Sequence, residues 1–543
     1  MNTSATPADG GTFDYVIVGA GSAGAVLAAR LSEDPDVSVC LLEAGPRDTS
    51  PLIHVPFGLA VVMRQRSIEW NFRTAPQTEL NGRKLYWPRG RTLGGSSSIN
   101  AMVYIRGIPD DYNEWAQLGA TGWDWENVLP YFKKSEDQEL GEDEFHGKGG
   151  PLTVSNLRYV NRLSKAFVKA GTELRLNHNE DFNAAEQEGI GVYQVTQRNG
   201  QRCSSAVAYL RDAEARPNLT LFTGALAQRV RFKGNCATGV DVRREGAVQT
   251  INARREVLLC GGAINSPQLL MLSGVGPAAH LREHGITPVA DLAGVGQNLQ
   301  DHLDVIVQGT SKSRAGYAIA PTIIPRGIGA GINYMLRRQG FLTSNVAEAG
   351  GFVRVSPEAK QAEVQYHFLP VRMRNHGRET VFGYGYSLHT CCLKPKSRGE
   401  IRLSSADPAA RPVIDPRFLS DEYDVRTMIE GVKLGRRILA APAFAAYRGT
   451  EVEPGEQAQS DDDLLAFIRS HGETIYHPVG TCRMGSPDDP HTVVDPELRV
   501  IGTERLRVVD ASVMPRLISG NTNAPTIMIG ERVADLIRGR TTV

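Results

Sequence analysis

The chain is 543 residues long and 41% hydrophobic, with 60 basic side chains set against 60 acidic ones. Such a length implies roughly two to four folding units rather than one core, and the charge balance supplies no basic field for a nucleic-acid partner. Seven cysteines without a CxxC pair argue against a disulfide framework or a zinc site and suit a reducing cytoplasm, and no apolar run reaches the about eighteen residues that span a bilayer.

The opening MNTSATPADGGT lacks the basic flank and apolar stretch of a signal peptide and reads as a short disordered leader. Residues 13–18 form a strand that runs into Gly19, Gly21 and Gly24, and a second strand over 37–42 ends at Glu43. Gly19 allows the tight turn, Gly21 lets backbone approach a pyrophosphate, and Gly24 lets the next helix pack on the sheet. That helix presents unpaired N–H groups and the positive end of its dipole to phosphates. Glu43 stands at about the twenty-residue offset of a carboxylate that accepts from ribose, which favours FAD or NAD over a 2′-phosphorylated dinucleotide. The unit is a dinucleotide site, and the chemistry is redox.

An irregular stretch over 46–90 reads as a functional cover or cofactor clamp. In the following PRGRTLGGSSSINAMVYIRG, small residues crowd around Gly94 and Gly95 and let backbone approach something flat and bulky. Residues 110–131 read as aromatic surface helices joined by a turn. From Asn218 a strand meander feeds a buried strand over 256–260 that turns at Gly261 and Gly262. The next helix is expected to start with Ser266 as N-cap and Pro267 in the first helical position. Residues 310–470 alternate apolar and polar positions in EVQYHFLPV, YGYSLHTCCLKP and GEIRLSS, and carry an amphipathic helix over 422–441. This is a separate mixed sheet, expected to be the substrate domain. RLRVVDASVMP and NAPTIMIGERVADLIRGR then return to strand and helix.

Two C-terminal segments bear on chemistry: ETIYHPVGTCRMG with His477, and GNTNAPTIMIGE with Asn521 and Asn523. Oxidation of an alcohol requires a base for the hydroxyl proton while hydride leaves carbon, and histidine suits that role near neutrality. An amide beside it holds the alkoxide oxygen without competing for the proton. His302 and His367 are the next candidates, with core packing as their expected role.

VGAGSAG with Glu43, GRTLGGSSSINAMVYIRG, GGAINSPQLLMLSGVG, GVGQNLQDH, YHPVGTCRMG and VVDASVMP with GNTNAPTIMIGE resemble the ordered motifs of the glucose-methanol-choline oxidoreductases over residues 13–537. Within that family the blocks LIHVPFGLA, LNGRKLYWPRG and GFLTSNVAEAGGFV are most similar to medium-chain alcohol dehydrogenases of alkane-degrading bacteria, with choline dehydrogenases as neighbours.

The resemblance implies an α/β Rossmann-like FAD-binding domain (12–156, 203–312 and 467–543) and an α+β substrate-binding domain on a mixed or antiparallel sheet (157–202 and 313–466). Gly19, Gly21, Ser22, Ala23, Gly24, Glu43 and Ala44 would hold pyrophosphate and adenosine ribose. Arg91, Gly94, Gly95, Asn100, Ala101, Met102 and Val103 would lie along the flavin, and Ala227 at adenine. Asp510 and Ala511 would lie by the ribityl phosphate, and Asn523 with the start of its helix at the pyrimidine end of the ring. His477 matches the family's catalytic histidine, Asn521 its paired position, and Tyr476 is a candidate substrate contact. Ile99 replaces the histidine that carries covalent FAD in some relatives, so the FAD is expected to be dissociable and no metal is expected.

The implied reaction is oxidation of aliphatic or aromatic primary alcohols to aldehydes, with electrons passed to a quinone or another carrier. Choline dehydrogenase and oxygen-using alcohol oxidase are the alternatives. A flavin-containing lyase and a fatty-acid photodecarboxylase, for which Cys391, Cys392 and Arg411 would matter, rank below them. The apolar stretches 55–63 and 319–336, each next to arginines, suit either a lid over a substrate tunnel or peripheral contact at the inner face of the cytoplasmic membrane.

Overall fold

A computed structural model describes residues 8–62, 65–318 and 324–540. Its frame is two seven-stranded sheets, and the expected α/β class is borne out. In the first sheet Leu219–Phe222, Val39–Leu42, Ala8–Val18, Ala247–Leu259 and Leu506–Val508 run parallel. Cys236–Arg244 and Leu226–Lys233 continue it as an antiparallel meander. Val16, Ile17, Val39, Leu41, Val257 and Leu258 are fully buried, as strands covered on both faces must be.

Residues 8–12, expected in a free leader, instead extend the opening strand along residues 249–252; residues 1–7 lie outside the described residues. The pairing is made by backbone, which leaves no hydrophobic pattern to read. Gly10 lies so close to its neighbour strand that a Cβ would sit 2.4 Å from Ile251 Cδ1.

The second sheet is antiparallel throughout, in the order Arg448–Glu453, Leu303–Ser311, Gly385–Cys392, Val364–Leu369, Ala349–Val353, Gly189–Val192, with Glu473–Thr474 beside Leu303–Ser311. Leu303–Ser311 and Glu473–Thr474 were expected with the FAD-binding unit and belong to this sheet instead. Glu400–Arg402 was expected in this sheet and pairs only with Val413–Asp415.

The helix Glu422–Ala440 covers one face of the second sheet, where a Cβ on Gly431 or Gly435 would come within 2.7 Å of Thr390 Cγ2 or 2.9 Å of Leu388 Cδ2. On Val364–Leu369, Tyr366 donates to Gly431 O on that helix at 2.6 Å, while His367 and Leu369 turn to the opposite face and line a cavity. This is strand alternation placing chemistry on one side and packing on the other.

The helices Pro109–Gln117 and Trp125–Ser135 keep an exposed face at Asp110, Gln117, Glu126 and Asn127 and bury an aromatic one at Tyr112, Trp115 and Phe132. One local expectation is corrected. The helix after Gly261 starts at Gly262, so Ser266 and Pro267 lie inside it. The N–H that Pro267 lacks would have served Ala263 O, and Thr481 Oγ1 donates there at 2.7 Å instead.

Candidate active site

Three helices aim their first turns at one cavity of about 960 Å³: Ser22–Leu31, Gly262–Leu272 and Asn523–Ile537. Their free N–H groups and dipole ends make this wall attractive to anions. Ser22 Oγ donates to Asn523 Oδ1 at 2.8 Å and ties two of the helix starts together. The third is tied to the last sheet strand through Asp510, which accepts from Gly262 N at 2.8 Å and Ser266 Oγ at 2.6 Å.

Of the residues read from the sequence, Gly19, Gly21, Ser22, Ala23, Glu43, Ala44, Arg91, Gly95, Asn100, Ala101, Met102, Val103, Ala227, Asp510, Ala511, Asn523, Tyr476, His477 and Asn521 all line this cavity. Gly24 and Gly94 stand behind it. A Cβ on Gly24 would meet Gly19 O at 1.9 Å, whereas one on Gly21 would meet no protein atom within 4 Å and would point into the open space. Gly95, at φ +52°, lies against Gly21, with 2.8 Å between a hypothetical Cβ and Gly21 Cα. Glu43 accepts from Ala20 N at 3.1 Å and Gly45 N at 2.8 Å, and burial pushes its carboxyl up to about 7 despite those donors. Arg91 donates to Ala44 O at 3.2 Å, and its buried Nε has no partner among the described residues. A glycine turn, a carboxylate at a strand end, three helix starts and an unanswered guanidinium donor fit a dinucleotide.

The other end of the cavity is the face of the second sheet. His302 Nε2 lies 3.0 Å from Leu393 O, and a carbonyl only accepts, so Nε2 carries the hydrogen and Nδ1 of His302 is an acceptor. His477 Nδ1, 3.0 Å away, must therefore be the donor in that pair, which leaves Nε2 of His477 as a bare lone pair. Asn521 Nδ2 donates to this lone pair at 3.1 Å, and Gln365 Nε2 donates to Asn521 Oδ1 at 3.1 Å and fixes which way the amide faces. Burial first, then His302, His367 and Arg89, hold His477 well below the usual histidine range, so the imidazole is neutral.

The loop bearing His477 is anchored by Asp301, which accepts from His477 N at 2.6 Å and from Thr474 Oγ1. On the same sheet face, His389 Nδ1 donates to Asp304 Oδ2 at 2.6 Å opposite His367. His302 thus does more than pack: it sets the tautomer of His477. Its only sequence signal was membership of the GVGQNLQDH block. Gln365 was missed, although alternation through Gln365, His367 and Leu369 places all three on one face.

The arrangement is that of an oxidoreductase: a dinucleotide channel continuous with a neutral, half-buried imidazole that an amide faces. Comparison with known proteins agrees. The GMC oxidoreductase family matches residues 13–304 and 395–530, and the chain belongs to that family. It is 55% identical over 528 residues to an alcohol dehydrogenase (acceptor) of Pseudomonas putida, covering 97% of this chain and 95% of the relative. It is 44% identical to an oxygen-dependent choline dehydrogenase of Brucella ovis, covering 97% and 96%. Among solved structures, pyridoxine 4-oxidase from Mesorbium loti superposes with a TM-score of 0.88 at 34% identity, covering 98% of this chain and 100% of that one. A formate oxidase superposes with a TM-score of 0.90 at 28% identity, covering 98% of this chain and 99% of that one.

Proposed function

We propose that the protein binds FAD non-covalently and oxidises neutral, apolar primary alcohols to aldehydes, passing the electrons to a quinone or another carrier rather than to oxygen. The observation that carries the reading is the pairing of the His477 Nε2 lone pair with the Asn521 Nδ2 donor in a cavity continuous with the dinucleotide wall. Its relatives by name include both an acceptor-using alcohol dehydrogenase and oxygen-dependent choline dehydrogenases.

When bound, FAD supplies the two-electron acceptor. Gly19, Gly21, Ser22 and Glu43 would hold its phosphates and ribose, Asn100 to Val103 would lie along its ring, and the start of Asn523–Ile537 would face the ring's pyrimidine end. Ile99 offers no nucleophile for a covalent link. A hydroxyl entering between Asn521 and His477 replaces their mutual hydrogen bond: its proton points to Nε2 and its oxygen accepts from Nδ2. His477 removes that proton as the carbonyl forms, and the Asn521 N–H stabilises the transient negative charge on oxygen without competing for the proton. His302 donates to the Leu393 carbonyl and receives the His477 Nδ1 hydrogen, so the base meets every substrate in the same tautomer.

Substrate class follows from the wall. Phe57, Tyr317, Phe341, Leu342, Val346 and Leu369 line this end. Of the carboxylates at this end, Asp301 serves the His477 loop and Asp304 serves His389, and neither lines the cavity, whereas Glu379, which does, is exposed and accepts from Asn375 Nδ2. A quaternary ammonium such as choline's requires an acid or an open aromatic cage, whereas Phe57, Tyr317 and Phe341 pack on one another with ring centroids 4.9–6.0 Å apart. Cys391 and Cys392 do not line the cavity and Arg411 does, so the three residues a photodecarboxylase reading would need do not share that wall.

Among the described residues no helix is long and apolar enough to cross a membrane. The helix Ile324–Arg337 contributes Gly327 to the cavity wall and leaves Ile328, Ile332, Met335 and Leu336 between 50% and 78% exposed beside Arg337 and Arg338. A stripe of this kind at the mouth supports peripheral contact with the cytoplasmic face of a membrane, where apolar alcohols and quinones dissolve. Residues 63–64 and 319–323 of the two apolar stretches lie outside the described residues.

The test is anaerobic bleaching of the flavin with 1-octanol, benzyl alcohol and choline, followed by mixing with quinone or oxygen. His477→Ala is expected to slow bleaching by about 10²–10⁴-fold with FAD retained; bleaching at the parent rate sinks the assignment.

A further inference from the structure

Arg202 holds a positive charge that no carboxylate among the described residues answers. Its side chain is buried, with the residue 1% exposed. Nε donates to Ile53 O at 2.8 Å, and Nη1 donates to Ser97 O at 3.1 Å and to Asn100 Oδ1 at 2.8 Å. Nη2 has no partner among the described residues. Every acceptor is a neutral carbonyl or amide. The contrast with Arg106 is direct, since that guanidinium, also fully buried, meets Glu136 at 2.6 Å. A buried ion without a counter-charge is costly to a fold unless something outside the chain supplies the opposite charge.

Arg202 sits behind the segment that lines the cavity. Asn100 Oδ1 accepts from Arg202 and also from Met102 N at 3.0 Å, so the amide oxygen is engaged inward and Nδ2 is the donor that Asn100 has left for the cavity. We propose that Arg202, on the FAD reading above, is a positioning and electrostatic residue for the cofactor: it orients Asn100 and raises the electron affinity of the bound flavin. Reduction to the anionic form takes up two electrons and one proton, so the ring gains one negative charge, supplied with the hydride by the alcohol. A fixed cation behind Asn100 would favour that state over the oxidised one. Burial pulls the guanidinium down to about 9, and with no competing base nearby it stays charged at neutral pH.

The experiment is dye-equilibrium measurement of the flavin midpoint potential on FAD-loaded parent, R202M, R202Q and R202K, with a melting curve for each. R202M and R202Q are expected to shift the reduction equilibrium at least tenfold toward the oxidised form, about 30 mV for a two-electron couple. R202K is expected to stay within about threefold of the parent. Parent-like potentials in R202M and R202Q overturn the inference, and so does an R202K shift as large as that of R202M, which would leave only hydrogen-bond geometry. Should neither neutral variant fold, the parent still decides: its equilibrium should change tenfold per pH unit, about 30 mV, near pH 6–8, and a hundredfold change per unit, meaning a neutral reduced ring, overturns the inference. A parent that binds no FAD overturns the cofactor reading itself, whereas a flavin-loaded variant with an unmoved potential overturns only the role of Arg202.

Discussion

Replacing His302 tests the tautomer relay at the base. In H302L the His477 Nδ1–H loses its acceptor at 3.0 Å and has no other among the described residues. The lost hydrogen bond is worth about 1 kcal/mol net, and the stranded donor adds about 1–3 kcal/mol of desolvation. His477 escapes part of that cost by moving its hydrogen to Nε2, but there it meets the Asn521 Nδ2 donor at 3.1 Å, so the escape is incomplete. A residual penalty of about 1.4–2.7 kcal/mol on the productive tautomer means a ten- to hundredfold slower proton transfer. H302N places an amide oxygen near the former Nδ1 and should recover most of the loss. The assay is stopped-flow bleaching by 1-octanol without oxygen, with FAD content and melting temperature as controls. Bleaching of H302L at the parent rate, or H302N no better than H302L, would refute the relay.

Other expectations follow from the same geometry. Because His477 is held well below the ordinary histidine range by burial and by His302, His367 and Arg89, its neutral form persists as pH falls. Bleaching rates should therefore be flat from about pH 8 to 6, with the acid limb well below the ordinary value of about 6.5; a limb centred there contradicts the environment described. Gly24→Ala must displace backbone, with 1.9 Å between its Cβ and Gly19 O, and should cost at least about 1–3 kcal/mol and the cofactor. Gly21→Ala meets no protein atom within 4 Å, so it should melt like the parent and lose only FAD affinity; equal melting losses in both variants would contradict the two roles. Charging the exposed stripe with I332E and M335E should abolish flotation with anionic vesicles and leave alcohol bleaching intact, and a parent that never floats removes the membrane reading.

Much of the dinucleotide site was legible because its determinants are local. Gly19, Gly21, Gly24 and Glu43 lie within one strand-turn-helix-strand, where each turn, close approach and strand end leaves its own residue type. His477 and Asn521 were legible only through the motifs around them, since one imidazole or amide carries no periodic signal. The rest depends on contacts between residues far apart in the chain. His302 reaches His477 across 175 positions and Gln365 reaches Asn521 across 156. Arg202 reaches Asn100 across 102. The first two pairings depend on the second sheet, which carries Gln365 and begins its Leu303–Ser311 strand next to His302, and the third on the separate hairpin of Gln197–Arg198 and Gln201–Arg202. Local propensity distinguishes strand from helix there but is the same for either sheet. The sequence by itself therefore specified a strand-turn-helix of the dinucleotide-binding type and marked one histidine and one amide as the candidates for redox chemistry. Tertiary packing alone decided which nitrogen of that histidine is bare, where three helix dipoles converge and which buried charge is left unpaired, because each depends on non-local neighbours.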